Sequence, residues 1–325
     1  MADKKTDIVL LQLGGPDSLE AVEPFLFNLF CDPDIIDLPL AFLFRKRLAR
    51  LISSKRAPKV CELYKTIGGK SPIAAQTRLQ AEALQSSLNE QGRQVGVHVA
   101  MRYWHPMTDR AVEDVIERSP DQVILLPLYP HFSVATTGSG FKEWDRVAKQ
   151  KSMNGIEVKR IKEYFDHPLY IEALIDRIQI ALRRVPDKDR KRVHLVFSAH
   201  GTPMKLVHNG DPYSHQIRKT YDLVVQGGSF GLPHTLCFQS KVGPQKWLEP
   251  SLTGTIEELA RQKVSHVVVI PIAFVTDHIE TLSEINIEVK AEALKAGIRY
   301  FDMTPALIRS KKFIACLSDL VMKHL

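Results

Sequence analysis

The chain has 325 residues, 44% hydrophobic and 25% charged, with a net charge of +7, which suits a globular protein of two domains, or one large one, with a full core. Four scattered cysteines, Cys31, Cys61, Cys237 and Cys316, make no CxxC pair, so neither a disulfide framework nor a zinc or iron–sulfur site is signalled, and a reducing compartment fits. The N-terminal residues run from charge into a short apolar strand and a glycine turn, the pattern of neither a signal peptide nor a transmembrane span.

Residues 8–13 read as a strand ending in Gly14-Gly15-Pro16, with Asp17 or Ser18 able to cap a helix through Val22, Phe25, Leu26 and Leu29. An Asp- and Pro-rich loop, 31–39, leads to residues 40–52, LAFLFRKRLARLI. These predict a short amphipathic helix, apolar enough to touch a bilayer and basic enough to prefer anionic lipid, or else a packed surface helix with solvated arginines. Residues 38–70 hold nine basic residues against one acid, more than the whole net charge, so the basicity is local. The segment has no recognisable reader module, which argues against nucleic-acid binding. The Gly-Gly-Lys-Ser run at 68–71 resembles a phosphate loop, but Tyr64 stands where that pattern needs its first glycine.

A helix over 73–90 and a strand over 95–101 lead to Arg102-Tyr103-Trp104-His105-Pro106; a helix over 108–117 and a strand over 122–126 lead to the loop 127–140. The second half repeats this grammar. Strand 193–197 runs into Ser198-Ala199-His200-Gly201-Thr202-Pro203, strand 235–238 into QSKVGP, and strand 266–270 into Pro271. The matching prolines are unequally offset, which fits two α/β lobes with different insertions rather than a tandem repeat. Strands alternating with helices imply parallel sheets, whose loops share one edge, with the lobe boundary near 154–167 and a final helix over 310–325.

The stretch 268–289 concentrates the chemistry. A buried strand turns polar at Thr276-Asp277-His278 and continues as an expected helix on which Glu280, Glu284 and Glu288 recur every four residues. A solvated acidic face is the plain alternative, but no Lys or Arg follows before Lys290, which weighs against it. Stacked carboxylates beside a histidine, at the C-terminal end of a strand, suit a divalent cation or a proton relay. His200, after an apolar strand among small residues, can bind metal or take a proton near pH 7. With Glu280 it makes a mixed N/O site with open positions, which suits a metal in transit better than a structural zinc. Lys65, Lys70, Ser71, Arg102, Tyr103, Lys241 and Trp247 suit a flat anionic ligand, although core packing accounts equally well for Tyr103 and Trp247.

The motifs LGGP, KRAPK–YKTIGGKSPI, RYWHP, PLYPHFSVATTGS, FSAHGTP, GDPY, CFQSKVGPQKWL and FVTDHIETLSEI, from near residue 8 to near 288, resemble those of the ferrochelatases in family order. The resemblance implies an α/β fold of two Rossmann-like, chelatase-type lobes, each a parallel sheet flanked by helices, with the active-site cleft between them. Residues 1–160 would form the N-terminal lobe with a porphyrin lip at 38–72, residues 161–309 the C-terminal lobe with the metal and proton site, and 310–325 a closing helix. It further implies ATP-independent insertion of Fe²⁺ into a porphyrin, protoporphyrin IX or coproporphyrin III, to make haem. His200 is then metal ligand or pyrrole base, and Glu280 its partner. Asp277, Glu284 and Glu288 belong to the acidic path, and His278 shapes the site. Leu13, Arg102, Tyr103 and Trp247 fall on the pocket walls, and Arg56, Lys59, Tyr64 and Ser71 on the lip. Some relatives carry an iron–sulfur cluster. Here Val134 replaces its loop cysteine and the tail offers only Cys316, so no cofactor is expected and Fe²⁺ is purely a substrate. The expected setting is cytoplasmic, as monomer or homodimer, with peripheral membrane contact through 40–52. A tetrapyrrole carrier would have no use for the carboxylates, and a cobalt or sirohydrochlorin chelatase is disfavoured by SAHGTP paired with DHIET.

Overall fold

The structure, a computed structural model, describes residues 4–35, 41–240 and 245–325, with 41–43 described by backbone alone. Leu40, where the amphipathic helix was expected to begin, and Lys241 lie outside the described residues. By packing, the chain divides into two compact units: Met1–Tyr129, Ser133–Glu163 and Leu317–Leu325 form the first, Pro130–Phe132 and Tyr164–Cys316 the second.

The first unit is built on β1 (Thr6–Gln12), β2 (Val95–Met101), β3 (Gln122–Pro127) and β4 (Glu157–Arg160), all parallel, in the order β2-β1-β3-β4. Ile8 stands beside Val97 on one side and Ile124 on the other. Every residue of β1 and β3 is buried, because a parallel sheet is covered on both faces. On one face Val9, Leu11 and Leu125 meet Ala111, Val112, Val115, Trp144 and Val147 from the helices Thr108–Arg118 and Ser139–Gln150. The C-terminal residues are tied to this unit: Gln91 donates to Ser318 at 2.7 Å and Lys159 to the His324 carbonyl at 2.6 Å.

The second unit is built on β5 (Val193–His200), β6 (His234–Gln239), β7 (His266–Pro271) and β8 (Tyr300–Met303), again parallel, in the order β6-β5-β7-β8. Its core joins Val196, Val267 and Val269 to Leu252 and Ile256 of the helix Leu252–Arg261 and to Ile285 and Val289. The two sheets have one topology, so the correspondence read from the sequence, β1 with β5, β2 with β6 and β3 with β7, holds in strand order.

Several elements differ from expectation. Strands β4 and β8 have no counterpart among the predicted elements. They are four-residue edge strands, and β4 is exposed or half-buried throughout, so neither shows an apolar run. The short helix and the loop after it give way to one helix, Ala41–Thr66, of 26 residues with Pro58 inside it. Proline removes one intrahelical hydrogen bond, but Pro58 is exposed and water can satisfy the carbonyl it orphans. The lip residues Arg56, Lys59 and Tyr64 are therefore helical. The helix Ser139–Gln150 is also additional. Glu280–Val289 is a π-helix rather than the expected α-helix, and on it the Ser283 hydroxyl donates to the Glu288 carboxylate at 3.4 Å. Among the described residues no helix is long and apolar enough to cross a membrane.

Candidate active site

In the second unit the C-terminal ends of β5 and β6 lie in register, with His200 opposite Gln239. His200 is the last residue of β5 rather than the first of a loop. Beyond it the chain turns at Gly201, whose N–H donates to the Gln239 carbonyl at 2.8 Å. A Cβ at Gly201 would lie 3.0 Å from that carbonyl oxygen and 3.4 Å from the Trp247 ring, so the close approach needs glycine. The residues after Gly201 pair with the Trp247 segment through Met204 N–H to the Lys246 carbonyl at 2.9 Å and Leu248 N–H to the Thr202 carbonyl at 3.1 Å. This sets the Trp247 ring edge-on to His200, with centroids 6.4 Å apart.

Across from β5, the π-helix brings Glu280 to His200, and the His200 Nδ1 to Glu280 Oε2 distance is 2.9 Å. The His200 side chain is 37% exposed and that of Glu280 26%, so the pair is half open. His278, buried and packed on Phe274 at 4.4 Å between centroids, places Nε2 3.7 Å from the same carboxylate oxygen. Burial alone would lower the pKa of His200, but the charge and hydrogen bond of Glu280 outweigh it and hold the pKa above the ordinary value. Burial likewise opposes ionisation of Glu280, yet His200 and His278 together drive its pKa well below the usual carboxylate range. The hydrogen bond occupies Nδ1 and leaves the Nε2 lone pair of neutral His200 for a metal or a proton.

The residues expected on the acidic path differ in setting. Glu284 stays near the pair: it accepts from the Ser240 N–H at 2.9 Å and the Ser240 hydroxyl at 2.5 Å, and burial raises its pKa. Asp277 instead accepts from Thr281 at 3.2 Å and lines a small cavity with Arg177, Phe274 and Leu307. Glu288 is exposed. Among the described residues, no three His, Cys, Asp or Glu side chains converge tightly enough to hold a metal ion. The arrangement is two donors, His200 and Glu280, with a third carboxylate within electrostatic reach.

The residues that support the pair carry no motif by themselves. Gln239, 3% exposed, accepts from the Ser198 hydroxyl at 2.7 Å and donates to the Glu280 carbonyl at 3.3 Å, so one amide ties β5, β6 and the π-helix together. The Tyr213 hydroxyl donates to the His200 carbonyl at 3.0 Å. The only sequence signal for either residue is its place in the CFQSKVGP or GDPY stretch.

In the first unit the expected wall residues centre on a carboxylate that sequence reasoning missed. Asp32, 2% exposed, accepts from Tyr103 at 2.6 Å and Ser139 at 2.6 Å, and pairs with Arg102 at 2.8 Å. Arg102 also donates to Ser139 at 2.9 Å and stacks 4.9 Å from the centre of the Tyr103 ring. Burial would raise the Asp32 pKa, but the donors from Ser139 and Tyr103 and the Arg102 charge depress it. Tyr103 is 1% exposed with its hydroxyl committed to Asp32, so in this structure it packs in the core. Leu13, half-buried, accepts from the Tyr103 N–H at 3.0 Å.

The lip residues split in the same way. Arg56, stacked 5.6 Å over Phe30, and Lys59 are exposed. Tyr64 is buried and its carbonyl accepts from Gly69 at 2.8 Å. Ser71 is buried and donates its N–H to Pro16 at 2.8 Å. A Cβ at Gly15 would come within 2.7 Å of Ser71, so the two loops touch only because residue 15 is glycine.

Comparison with known proteins identifies the family. The ferrochelatase family model matches residues 5–325. The ferrochelatase of Citrifermentans bemidjiense is 47% identical over 98% of each chain, and that of Aquifex aeolicus 44% identical over 98% of each. Among solved structures, SirB from Bacillus subtilis with Fe³⁺ superposes with a TM-score of 0.56 at 12% identity, covering 98% of this chain and 95% of that one. CbiX, described as the terminal enzyme of sirohaem biosynthesis in denitrifying bacteria, superposes with a TM-score of 0.51 at 13% identity, covering 98% and 99%. At such identities these two establish the chelatase-type fold alone. The match of both sequence and fold along nearly the whole chain places it in the ferrochelatase family, the metal-chelatase lyases that insert iron into a porphyrin to make haem.

Proposed function

We propose that the chain inserts Fe²⁺ into protoporphyrin IX or coproporphyrin III without ATP, with His200 and Glu280 as the reacting groups. The observation that carries this reading is the half-open His200–Glu280 pair, joined at 2.9 Å at the C-terminal edge of a parallel sheet. Insertion replaces two pyrrole protons by one cation, so a site must accept protons and hand over a metal. Neutral His200 offers Nε2 for either task, and Glu280, kept ionised by its histidine partners, stabilises the imidazolium that forms. Because the two groups titrate as a unit, base and ligand are alternating roles of one pair. Two protein donors leave most of the coordination sphere of Fe²⁺ open, which favours transfer over retention. Walls that favour a non-planar macrocycle expose the pyrrole lone pairs and fit flat haem less well, so product leaves. Iron is a substrate throughout, and the reaction needs no resident cofactor. On the surface, Phe44 is 58% exposed and Leu51 52% exposed, seven residues apart on a helix also bearing Lys46, Arg47 and Arg50, which supports peripheral contact with anionic lipid.

The test is anaerobic insertion by purified protein, offering Fe²⁺ with each porphyrin in parallel and following the Soret and Q bands. Conversion of one porphyrin is expected and identifies the substrate. Tight porphyrin binding without conversion, where a control chelatase works, would replace the enzyme by a carrier.

A further inference from the structure

Ser240, directly after β6, has no part in the reaction as proposed, yet its backbone is unusual. Its φ is +65°, in the left-handed region that residues with a Cβ rarely adopt. Such a conformation persists where neighbours over-determine it, and here the neighbour is Glu284. The Ser240 N–H reaches Oε1 at 2.9 Å and the hydroxyl reaches Oε2 at 2.5 Å, so one residue holds both oxygens of one carboxylate. Gln239 adds a longer contact to Oε2 at 3.5 Å. An ionised carboxylate has about four acceptor sites, so three are already engaged. The carboxylate stays tied to the reacting pair through Gln239, whose amide also donates to the Glu280 carbonyl at 3.3 Å.

We propose that Ser240 is a positioning residue acting through Glu284: its hydroxyl competes with the divalent cation for Oε2, so that Glu284 guides iron without retaining it. This rests on the reading of Glu284 as part of the route to His200 and Glu280. A hard cation prefers carboxylate oxygens and binds more firmly when both are free. To take Oε2 it must displace a short, charge-assisted hydrogen bond. A chelatase needs that competition, because iron that lodges at Glu284 does not reach the macrocycle. The main-chain N–H would keep the carboxylate in place if the hydroxyl were absent.

Two variants separate the hydroxyl from the backbone. Ser240→Gly removes the hydroxyl, keeps the N–H and relieves the left-handed conformation, whereas Ser240→Ala removes the hydroxyl and keeps the conformation. Steady-state insertion is measured with Fe²⁺ and with the porphyrin that the parent enzyme converts, each varied in turn. In both variants KM for Fe²⁺ is expected to fall about threefold or more, kcat to fall with it, and KM for porphyrin to stay unchanged. Glu284→Gln should raise KM for Fe²⁺, and Ser240→Gly added to it should change nothing further. A shift in the glycine variant alone would trace to relief of the left-handed conformation and overturn the proposal. If Glu284→Gln moves KM for Fe²⁺ but Ser240→Gly does not, the competition is absent while the metal route stands. If Glu284→Gln leaves it unmoved, the route fails and the proposal falls with it.

Discussion

Two polar clusters lie at the C-terminal ends of parallel strands, one in each unit, and they are built to opposite ends. In the first, the residues that follow β2 reach Asp32, which is 2% exposed and whose carboxylate is engaged by Tyr103, Ser139 and Arg102. At the end of β5, His200 and Glu280 share one hydrogen bond, and their side chains are 37% and 26% exposed. The first cluster is closed and satisfied, which makes it a scaffold for the chain around Arg102. The second keeps a lone pair and solvent access, which a group needs if it is to exchange protons or metal. Polar residues at the C-terminal edges of the two sheets are thus sealed in one unit and left open in the other, and satisfaction of hydrogen bonds tells them apart.

The sharpest way to break the comparison is to neutralise each carboxylate. Glu280→Gln is expected to lower insertion by about 10²–10⁴-fold, the range for loss of acid–base assistance, while porphyrin binding survives. Near-normal turnover would remove the pair from the chemistry. Asp32→Ala should act on stability instead, costing about 3–5 kcal/mol because Arg102 and two hydroxyls lose a buried partner. Denaturant unfolding measures this, and a cost below about 1 kcal/mol would show that the network is not a scaffold.

The pair also has a pH signature. His200 has a folded pKa above its ordinary 6.5, so its contribution is full below 6.5 and is lost as pH rises through the folded value. Glu280 has a folded pKa below its ordinary 4.5, so its contribution is full above 4.5 and is lost as pH falls through the folded value. The melting temperature of the parent relative to Glu280→Gln should therefore be most favourable between pH 4.5 and 6.5. A difference that grows toward pH 8 would reverse the sign and refute the pairing. The smallest effect is expected from Tyr213→Phe. Losing the hydrogen bond to the His200 carbonyl should cost about 1 kcal/mol of stability, with KM for porphyrin unchanged.

The sheets were legible because parallel strands buried on both faces are continuous apolar runs, as at Val267–Ile270, and because six strand ends carry Gly or Pro turns. The edge strands β4 and β8 were not, since four residues, exposed or half-buried throughout β4 and alternately half-buried and buried in β8, make no apolar run. His200 and Glu280 were legible as types in context: a histidine among small residues, and a carboxylate series without cations. The even spacing of Glu280, Glu284 and Glu288 falls on one helix, whereas Asp277 lies in the turn before it. That turn brings Asp277 to the Thr281 hydroxyl, while Glu288 is exposed at the far end of the series.

The sequence by itself determined the alternation of strands and helices, the family, and the identity of the two groups with chemistry to offer. These are written in local period, composition and motif, which survive without knowledge of long-range contacts. Tertiary structure decided which polar groups meet. Asp32 meets Tyr103 across 71 residues, Ser198 meets Gln239 across 41, and His200 meets Glu280 across 80. Whether a carboxylate is sealed or reactive depends on how many donors reach it and how much water remains. Both are properties of packing between segments distant in the chain.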